Sequence, residues 1–316
     1  MTEPRHAADH PIALLVNPNS TAATPGLTEY AITQLAPFGV RAVLTTQERG
    51  HAAELAILAM QEHDALTVVT LGGDGTAAEA AGALVGTGAA LAPMPAGSTN
   101  VFARSIGWPR DPHRAIDRLV EALRGGHHAE AITIGHLSCD DGEERFFIVN
   151  AGVGIDAEAA NIVERNPQWK RRVGQAWFAS ATAYAALSQH RRGMLGVSID
   201  GGTPFPLASL SVACTRPYAY FRQRAFDLIP DAGTPGALGW MGATRHSPRG
   251  PAVAAAGALT GAWHLESRAL AHGVARDSIV MESVAGVALQ ADGEPMGRHH
   301  RVVMRPANGL LVLRGS

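Results

Sequence analysis

Through roughly the first 125 residues, apolar runs bounded by glycine and proline alternate with segments of helical spacing. IALLVNP (12 to 18) reads as a short buried strand, LTEYAITQLAPFG (27 to 39) as a helix, and RAVLTT (41 to 46) as a strand. GHAAELAILAMQEH (50 to 63) then reads as a helix and ALTVVTLGG (65 to 73) as a strand. Strands alternating with helices of this length predict βαβ units on a parallel sheet, with ligands beyond the carboxyl ends of the strands. From about residue 130 the pattern shortens to β runs: AITIGHLS, RFFIVNAG, MLGVSIDG, LASLSVACT, SIVMESV, VALQADGE, RVVMRPA and LLVLRGS. One long helical stretch, KRRVGQAWFASATAYAALSQH (170 to 190), interrupts them. The expected fold class is therefore α/β plus all-β. A Rossmann-like domain with a parallel sheet takes residues 1–128, and an antiparallel β-sandwich domain with an inserted helix takes 129–309. The boundary is placed at RGGHHAE (124 to 130), where Gly-Gly breaks a helix.

Composition narrows the function. A net charge of −2 with scattered arginine supplies no concentrated basic face, so no nucleic-acid partner is expected. Cys139 and Cys214 stand far apart and in no metal-ligand spacing, which suggests neither a disulfide framework nor a zinc site and fits a reducing cytoplasm. MTEPRHAADHP lacks the apolar core of a signal peptide, and the stretch Pro251 to Trp263 is too short to span a bilayer, so a soluble chain is expected. The single lysine, Lys170, follows Trp169, which excludes a Walker-type phosphate loop and nearly excludes a Schiff-base lysine.

The chemistry is densest in VVTLGGDGTAAEAAGALVG (68 to 86). Gly72, Gly73 and Gly75 can take positive φ and let phosphate oxygens approach backbone N–H groups. Thr76 and Glu79 have capping-box spacing, which predicts a helix whose positive end faces the loop. Asp74 is out of place in an anion site, and implies either Mg²⁺ or a hydrogen-bonding role in holding the loop. A plain strand-to-helix turn with Asp as a local cap would use the same residues. MPAGSTNVFARSIG (94 to 107) has a similar build, with Gly97 followed by Ser98, Thr99 and Asn100, and would bring further donors to the same edge.

These segments together resemble the diacylglycerol kinase catalytic family, which includes soluble bacterial lipid kinases and the sphingosine and ceramide kinases. The resemblance rests on VNPNS (16 to 20), TQERGHAAELA (46 to 56), GGDGTAAE (72 to 79), PAGSTNVFAR (95 to 104), NAGVGIDAEA (150 to 159) and ADGEPM (291 to 296), in the family's order. It implies ATP held between two domains, and a last strand near 310–316 that returns to the first domain. By similarity the nucleotide would be contacted by Asn17, Pro18, Asn19, Ser20, Thr46, the loop Gly72, Gly73, Asp74, Gly75, Thr76, Ala77 and Ala78, and by Gly97, Ser98 and Asn100. Asp74, Asp292 and Glu294 would form the catalytic set, with ATP and Mg²⁺ as cofactors and a diacylglycerol-like lipid as acceptor.

In LQADGEPMG, Asp292 and Glu294 are one residue apart, which on an extended segment puts both carboxylates on one face. Transfer of a phosphoryl group to an alcohol needs an acceptor for the hydroxyl proton. Glu294 is the candidate base, with Asp292 orienting it or holding the catalytic Mg²⁺; an Asp-Gly turn with a solvated Glu is the plainer reading. Two departures from the family pattern, Val101 after the loop Asn and Pro235-Gly236 after IPDAGT, remove acidic residues of a secondary magnesium site, which is expected to be missing. His127-His128 and His299-His300 read as solvated loops rather than metal ligands, because no third ligand is apparent. NAGVGIDA also fits a dinucleotide fingerprint, but the acidic residue expected further on is absent. Lys170, Arg171 and Arg172 ahead of Trp177, Phe178 and Tyr184 suit a core helix with a charged start, or contact with an anionic membrane. The reading is a cytoplasmic lipid kinase in transient contact with a membrane surface, its homodimerisation left open. An NAD kinase and a non-catalytic nucleotide- or lipid-binding regulator are the rivals.

Overall fold

The computed structural model describes residues 11–64, 66–126, 128–154, 157–158, 194–221, 223–247, 249–261 and 263–315. Two compact units divide the chain: Met1–Ile132 with Asn308–Ser316, and Thr133–Ala307. The helical stretch read at 170–190 lies outside the described residues.

In the first unit, β1 (Ile12–Val16), β3 (Thr67–Gly72) and β4 (Ala90–Pro95) are buried at every position, as continuous apolar runs require of a parallel sheet covered on both faces. β2 (Val40–Thr45) is the half-exposed outer strand. The strands are parallel in the order β2-β1-β3-β4. Beyond β4, Leu311 and Val312 at the end of the long strand Glu294–Val312 pair in parallel with Ala90 and Leu91. Five helices connect these strands: α1 (Pro25–Leu35), α2 (His51–His63), α3 (Asp74–Leu84), α4 (Val101–Ser105) and α5 (Pro112–Arg124). Local chemistry sets two of their starts. Thr24 Oγ1 accepts the Leu27 amide at 3.2 Å, and Asp111 Oδ1 accepts the Arg114 amide at 3.0 Å, each with proline at the first helical position. The strand order reverses between β1 and β3, so the crevice at a topological switch point opens at their carboxyl ends.

The second unit is built on antiparallel strands. They are β5 (Glu130–Cys139), β6 (Glu144–Phe147), β7 (Asn150–Val153), β8 (Leu195–Ile199), β9 (Phe205–Leu207), β10 (Ser209–Ala213), β11 (Ala219–Phe221), β12 (Arg224–Phe226), β13 (Leu238–Ala243), β14 (Leu270–Ala275), β15 (Ile279–Ala291) and β16 (Glu294–Val312). β14, β13, β10, β7, β15 and β16 lie side by side in that order; β8 also pairs with β15, and β5 with β16.

Three expectations change here. RFFIVNAG is not one strand but two, β6 and β7, broken at Ile148 and Val149, whose amides turn to a side-chain carboxylate. The IVMESV of SIVMESV and the VALQA of VALQADGE fall on a single strand, β15, whose pairing with β16 shifts register between Glu282 and Val287. An alanine-rich helix, α6 (Arg249–Thr260), was read only as too short for a membrane span, and packs through Ala254 beside Met241, Tyr218 and Leu270. Among the described residues no helix is long and apolar enough to cross a membrane.

Candidate functional site

The first unit gathers its polar loops at the carboxyl ends of the parallel strands. The Asn17 amide donates to Leu71 O at 3.0 Å, Thr46 N to Val16 O at 2.9 Å, and Ala22 N to Ala96 O at 2.8 Å. Asn17 Nδ2 then reaches Thr76 Oγ1 at 2.8 Å and Asn17 Oδ1 accepts the Asn19 amide at 3.0 Å, so the first loop is fastened to the start of α3. Pro18, Asn19 and Ser98 are exposed, Ser20 is half-buried, and Thr46 is buried.

Glycine is required at this edge for closeness rather than for handedness. Gly72, Gly73 and Gly75 are not among the positive-φ glycines, which corrects the expectation from the sequence. A Cβ on Gly72 would stand 2.6 Å from Thr76 Cβ, and one on Gly97 would stand 2.5 Å from the Gly73 Cα. The two glycine loops thus touch backbone to backbone. Gly97 is fixed there by its amide donating to Asn100 Oδ1 and by Asn100 Nδ2 donating to Gly97 O, both at 2.8 Å. Asn100, at φ 51, sits in the left-handed region that Asn tolerates.

Asp74 opens α3, and its carboxylate serves a different helix. Oδ2 accepts the Val101 amide and Oδ1 the Phe102 amide, both at 2.9 Å, so Asp74 caps α4 across the loop contact. Asp74 as a whole is half-buried. Burial holds the carboxyl above its ordinary value, against the opposing pull of the two amides and Arg104. The capping box expected at Thr76 and Glu79 is absent. Gly73 is the N-cap without a side-chain bond, Thr76 lies inside α3, and Glu79 instead accepts the Gly50 amide at 2.9 Å and the Ala52 amide at 3.2 Å at the start of α2. What α3 offers outward is its first-turn amides, Asp74 to Thr76, which lack a carbonyl one turn back. Ala77 and Ala78 are buried behind them.

In the second unit, Asp292 and Gly293 are the two residues of the β15–β16 hairpin turn, at φ 49 and 81, with Ala291 paired to Glu294. The expectation of an extended segment with both carboxylates on one face is therefore overturned. A turn is what Asp-Gly specifies. The Asp292 carboxylate binds backbone: Oδ1 accepts Val149 N at 2.8 Å and Asn150 N at 3.0 Å, and Oδ2 accepts Ile148 N at 2.9 Å. Asp292 N in turn donates to Asn150 O at 2.7 Å. Gln290 supports the same corner, its Oε1 accepting Gly293 N at 2.7 Å and its Nε2 donating to Asn150 Oδ1 at 2.9 Å. Glu294 opens β16 half-buried, and Arg145 Nη2 on β6 donates to its Oε2 at 2.7 Å. Arg145, Asn150 and Gln290 were missed by sequence reasoning; no local spacing links residues 149 positions apart. Val101 and Pro235, the two departures, lie in different units.

A second correction concerns the histidines. His299 is no solvated loop residue: it is buried on β16, beside Asp140, Asp141 and Cys139.

Residues 11–131 match the family model described as the diacylglycerol kinase catalytic domain. Two curated relatives named diacylglycerol kinase, from Mycobacterium tuberculosis strains CDC 1551 / Oshkosh and ATCC 25618 / H37Rv, are 32% identical over 128 residues. That match takes in 40% of this chain and 40% of each relative. The fold is similar to that of a candidate diacylglycerol kinase from Bacillus anthracis str. Sterne, with a TM-score of 0.76, 17% identity, and coverage of 99% of this chain and 98% of the other. A second structure, of a diacylglycerol kinase from the same organism, gives a TM-score of 0.64 at 16% identity, covering 96% of this chain and 97% of the other. At such identities the structures establish the shared fold, while the sequence match falls on the unit that carries the glycine loops. Residues 11–131 are thus similar to the diacylglycerol kinase catalytic domain.

Proposed function

We propose that the chain is an ATP-dependent lipid kinase that transfers the γ-phosphate to the free hydroxyl of diacylglycerol or a similar amphipathic lipid, giving phosphatidic acid or its analogue. The observation that carries this reading is the contact of the Gly72–Thr76 and Gly97–Asn100 loops at the carboxyl ends of β3 and β4, next to the β1/β3 switch point and inside the residues that match the kinase family model. Such an edge suits phosphate oxygens, since a Cβ on Gly73 or Gly97 would fill the space where two backbones meet and the first-turn amides of α3 remain to donate.

Each residue then takes a role. Asn17 and Thr76 hold the first loop, Asn19, Ser20, Ser98 and the α3 amides bind nucleotide, and Asp74 is a positioning residue that keeps α4 and the Gly97 loop in place. Glu294 is the base: it takes the lipid hydroxyl proton on the oxygen that Arg145 does not hold, as that hydroxyl oxygen bonds to the γ-phosphorus and the bond to the β-phosphate oxygen breaks. Asp292 shapes the Ile148–Asn150 corner beside it. Magnesium, when bound, neutralises phosphate charge. The carboxylates of Asp74 and Asp292 are turned to backbone amides, which fits an ion brought in by the nucleotide better than one held in a protein cage.

Labelled γ-phosphate offered with Mg²⁺ to diacylglycerol, ceramide, sphingosine and NAD tests the reading. Label on one of the lipids supports it; label on NAD moves the chain to the rival enzyme class, and tight ATP binding with no labelled product moves it to a regulator.

A further inference from the structure

The tip of the β5–β6 hairpin carries Cys139, Asp140 and Asp141, and β16 passes it with His299. The His299 ring is 3% exposed, with Nε2 only 2.6 Å from Met296 O. A carbonyl oxygen only accepts, so Nε2 carries hydrogen and, in the neutral ring, Nδ1 is left with a lone pair. That nitrogen lies 3.3 Å from Asp140 Oδ1 and 3.6 Å from Asp141 Oδ2. Together with Cys139 Sγ, the donor atoms of Asp141 and His299 all fall within 4.8 Å of one another. Acceptors converging in this way repel unless a second proton on His299 or a cation stands among them. A thiol adds little to an imidazolium–carboxylate pair, but it is a strong ligand for a soft ion.

We propose that Cys139, Asp141 and His299 form a binding site for one borderline-soft divalent metal, with zinc the ion that this donor set suits best. Sulfur, imidazole nitrogen and a single carboxylate oxygen are zinc ligands, whereas magnesium and calcium take oxygen. Ligand atoms bound at ~2.0–2.3 Å to one tetrahedral ion lie roughly 3.3–3.8 Å apart, and the His299 to Asp141 separation of 3.6 Å is of that size. The Nε2–H bond to the Met296 carbonyl is the outer contact that orients a ligating imidazole and presents Nδ1 to the metal. Three protein ligands leave a fourth position for water or for Asp140, whose Oδ2 is steadied by the His300 amide at 3.0 Å. The ion ties the β5–β6 hairpin to β16, the two elements that bring Arg145 to Glu294. The site stands independently of the kinase reading, because no nucleotide or lipid enters the argument.

The test uses the full chain, stripped with a chelator, dialysed and titrated with zinc chloride or cobalt chloride. One equivalent of either metal should bind, with a thiolate-to-cobalt charge-transfer band in the near ultraviolet and a Tm that rises with added zinc. Cys139→Ser should abolish the band and, like Asp141→Asn, weaken zinc binding at least tenfold; both substitutions fall at the hairpin tip rather than in the core. Failure of the parent protein to take up one equivalent would overturn the proposal. So would zinc affinity and a cobalt spectrum unchanged in both variants.

Discussion

Arg145 on β6 donates to Glu294 at the head of β16 at 2.7 Å, and this pair holds the proposed base in one orientation. Partly exposed ion pairs contribute only about 0.2–1 kcal/mol to stability. Arg145→Gln should therefore unfold in urea within about 1 kcal/mol of the parent while kcat falls about tenfold through loss of orientation. Equal kcat would show that Arg145 does not position Glu294.

Asp74 couples stability to pH. Its carboxyl is held above the ordinary value of 3.8, chiefly by burial. The folded state therefore binds the proton more tightly than the unfolded chain does. This group's contribution to stability is full at low pH and declines as pH rises from 3.8 through the raised value. Denaturant titrations from pH 3.5 to 7 should show the parent losing stability relative to Asp74→Asn across that window. A difference that does not change with pH would contradict the placement of the charge.

The contact between glycine loops is a steric claim. A Cβ on Gly97 meets the Gly73 Cα at 2.5 Å and Asn100 Oδ1 at 2.9 Å, so Gly97→Ala forces the loops apart. It should cost about 1–3 kcal/mol of stability and weaken ATP binding at least tenfold by calorimetry. Gly26→Ala in α1 meets nothing within 4 Å and should leave ATP binding unchanged.

Glu79 caps α2 through two amides rather than its own helix. Glu79→Ala should lower stability by about 0.5–2 kcal/mol and speed amide exchange at Gly50 and Ala52, with exchange at Asp74 to Thr76 unaltered. Faster exchange at the start of α3 would restore the capping box.

The alternation of runs in the first 125 or so residues was legible because β1, β3 and β4 are buried on both faces and leave long apolar strings. The loops at their ends were legible as well, from the glycines of Gly72-Gly73-Asp74-Gly75 and Gly97 that close β3 and β4. What those glycines do was not, because the clash that excludes a side chain at Gly97 comes from Gly73, in another loop. Asp74 and Asp292 look alike in sequence, each beside glycine, and each turns out to bind backbone amides contributed by a distant segment. The break between β6 and β7 was hidden for the same reason: Ile148 and Val149 are strong strand formers whose amides are claimed by Asp292. His299 was misread because it stands in the polar run Arg298-His299-His300-Arg301, while its partners Asp140 and Asp141 come from the distant β5–β6 hairpin tip.

In the proposed reaction Glu294 takes the hydroxyl proton of a lipid acceptor while the first unit binds ATP on its own loops. The most direct measurement is the rate of labelled γ-phosphate transfer to diacylglycerol by the parent and by Glu294→Gln, with ATP affinity measured on both. A fall of about 10²–10⁴ in kcat, at unchanged ATP affinity, is the expected result. Transfer by Glu294→Gln at the parental rate would contradict it.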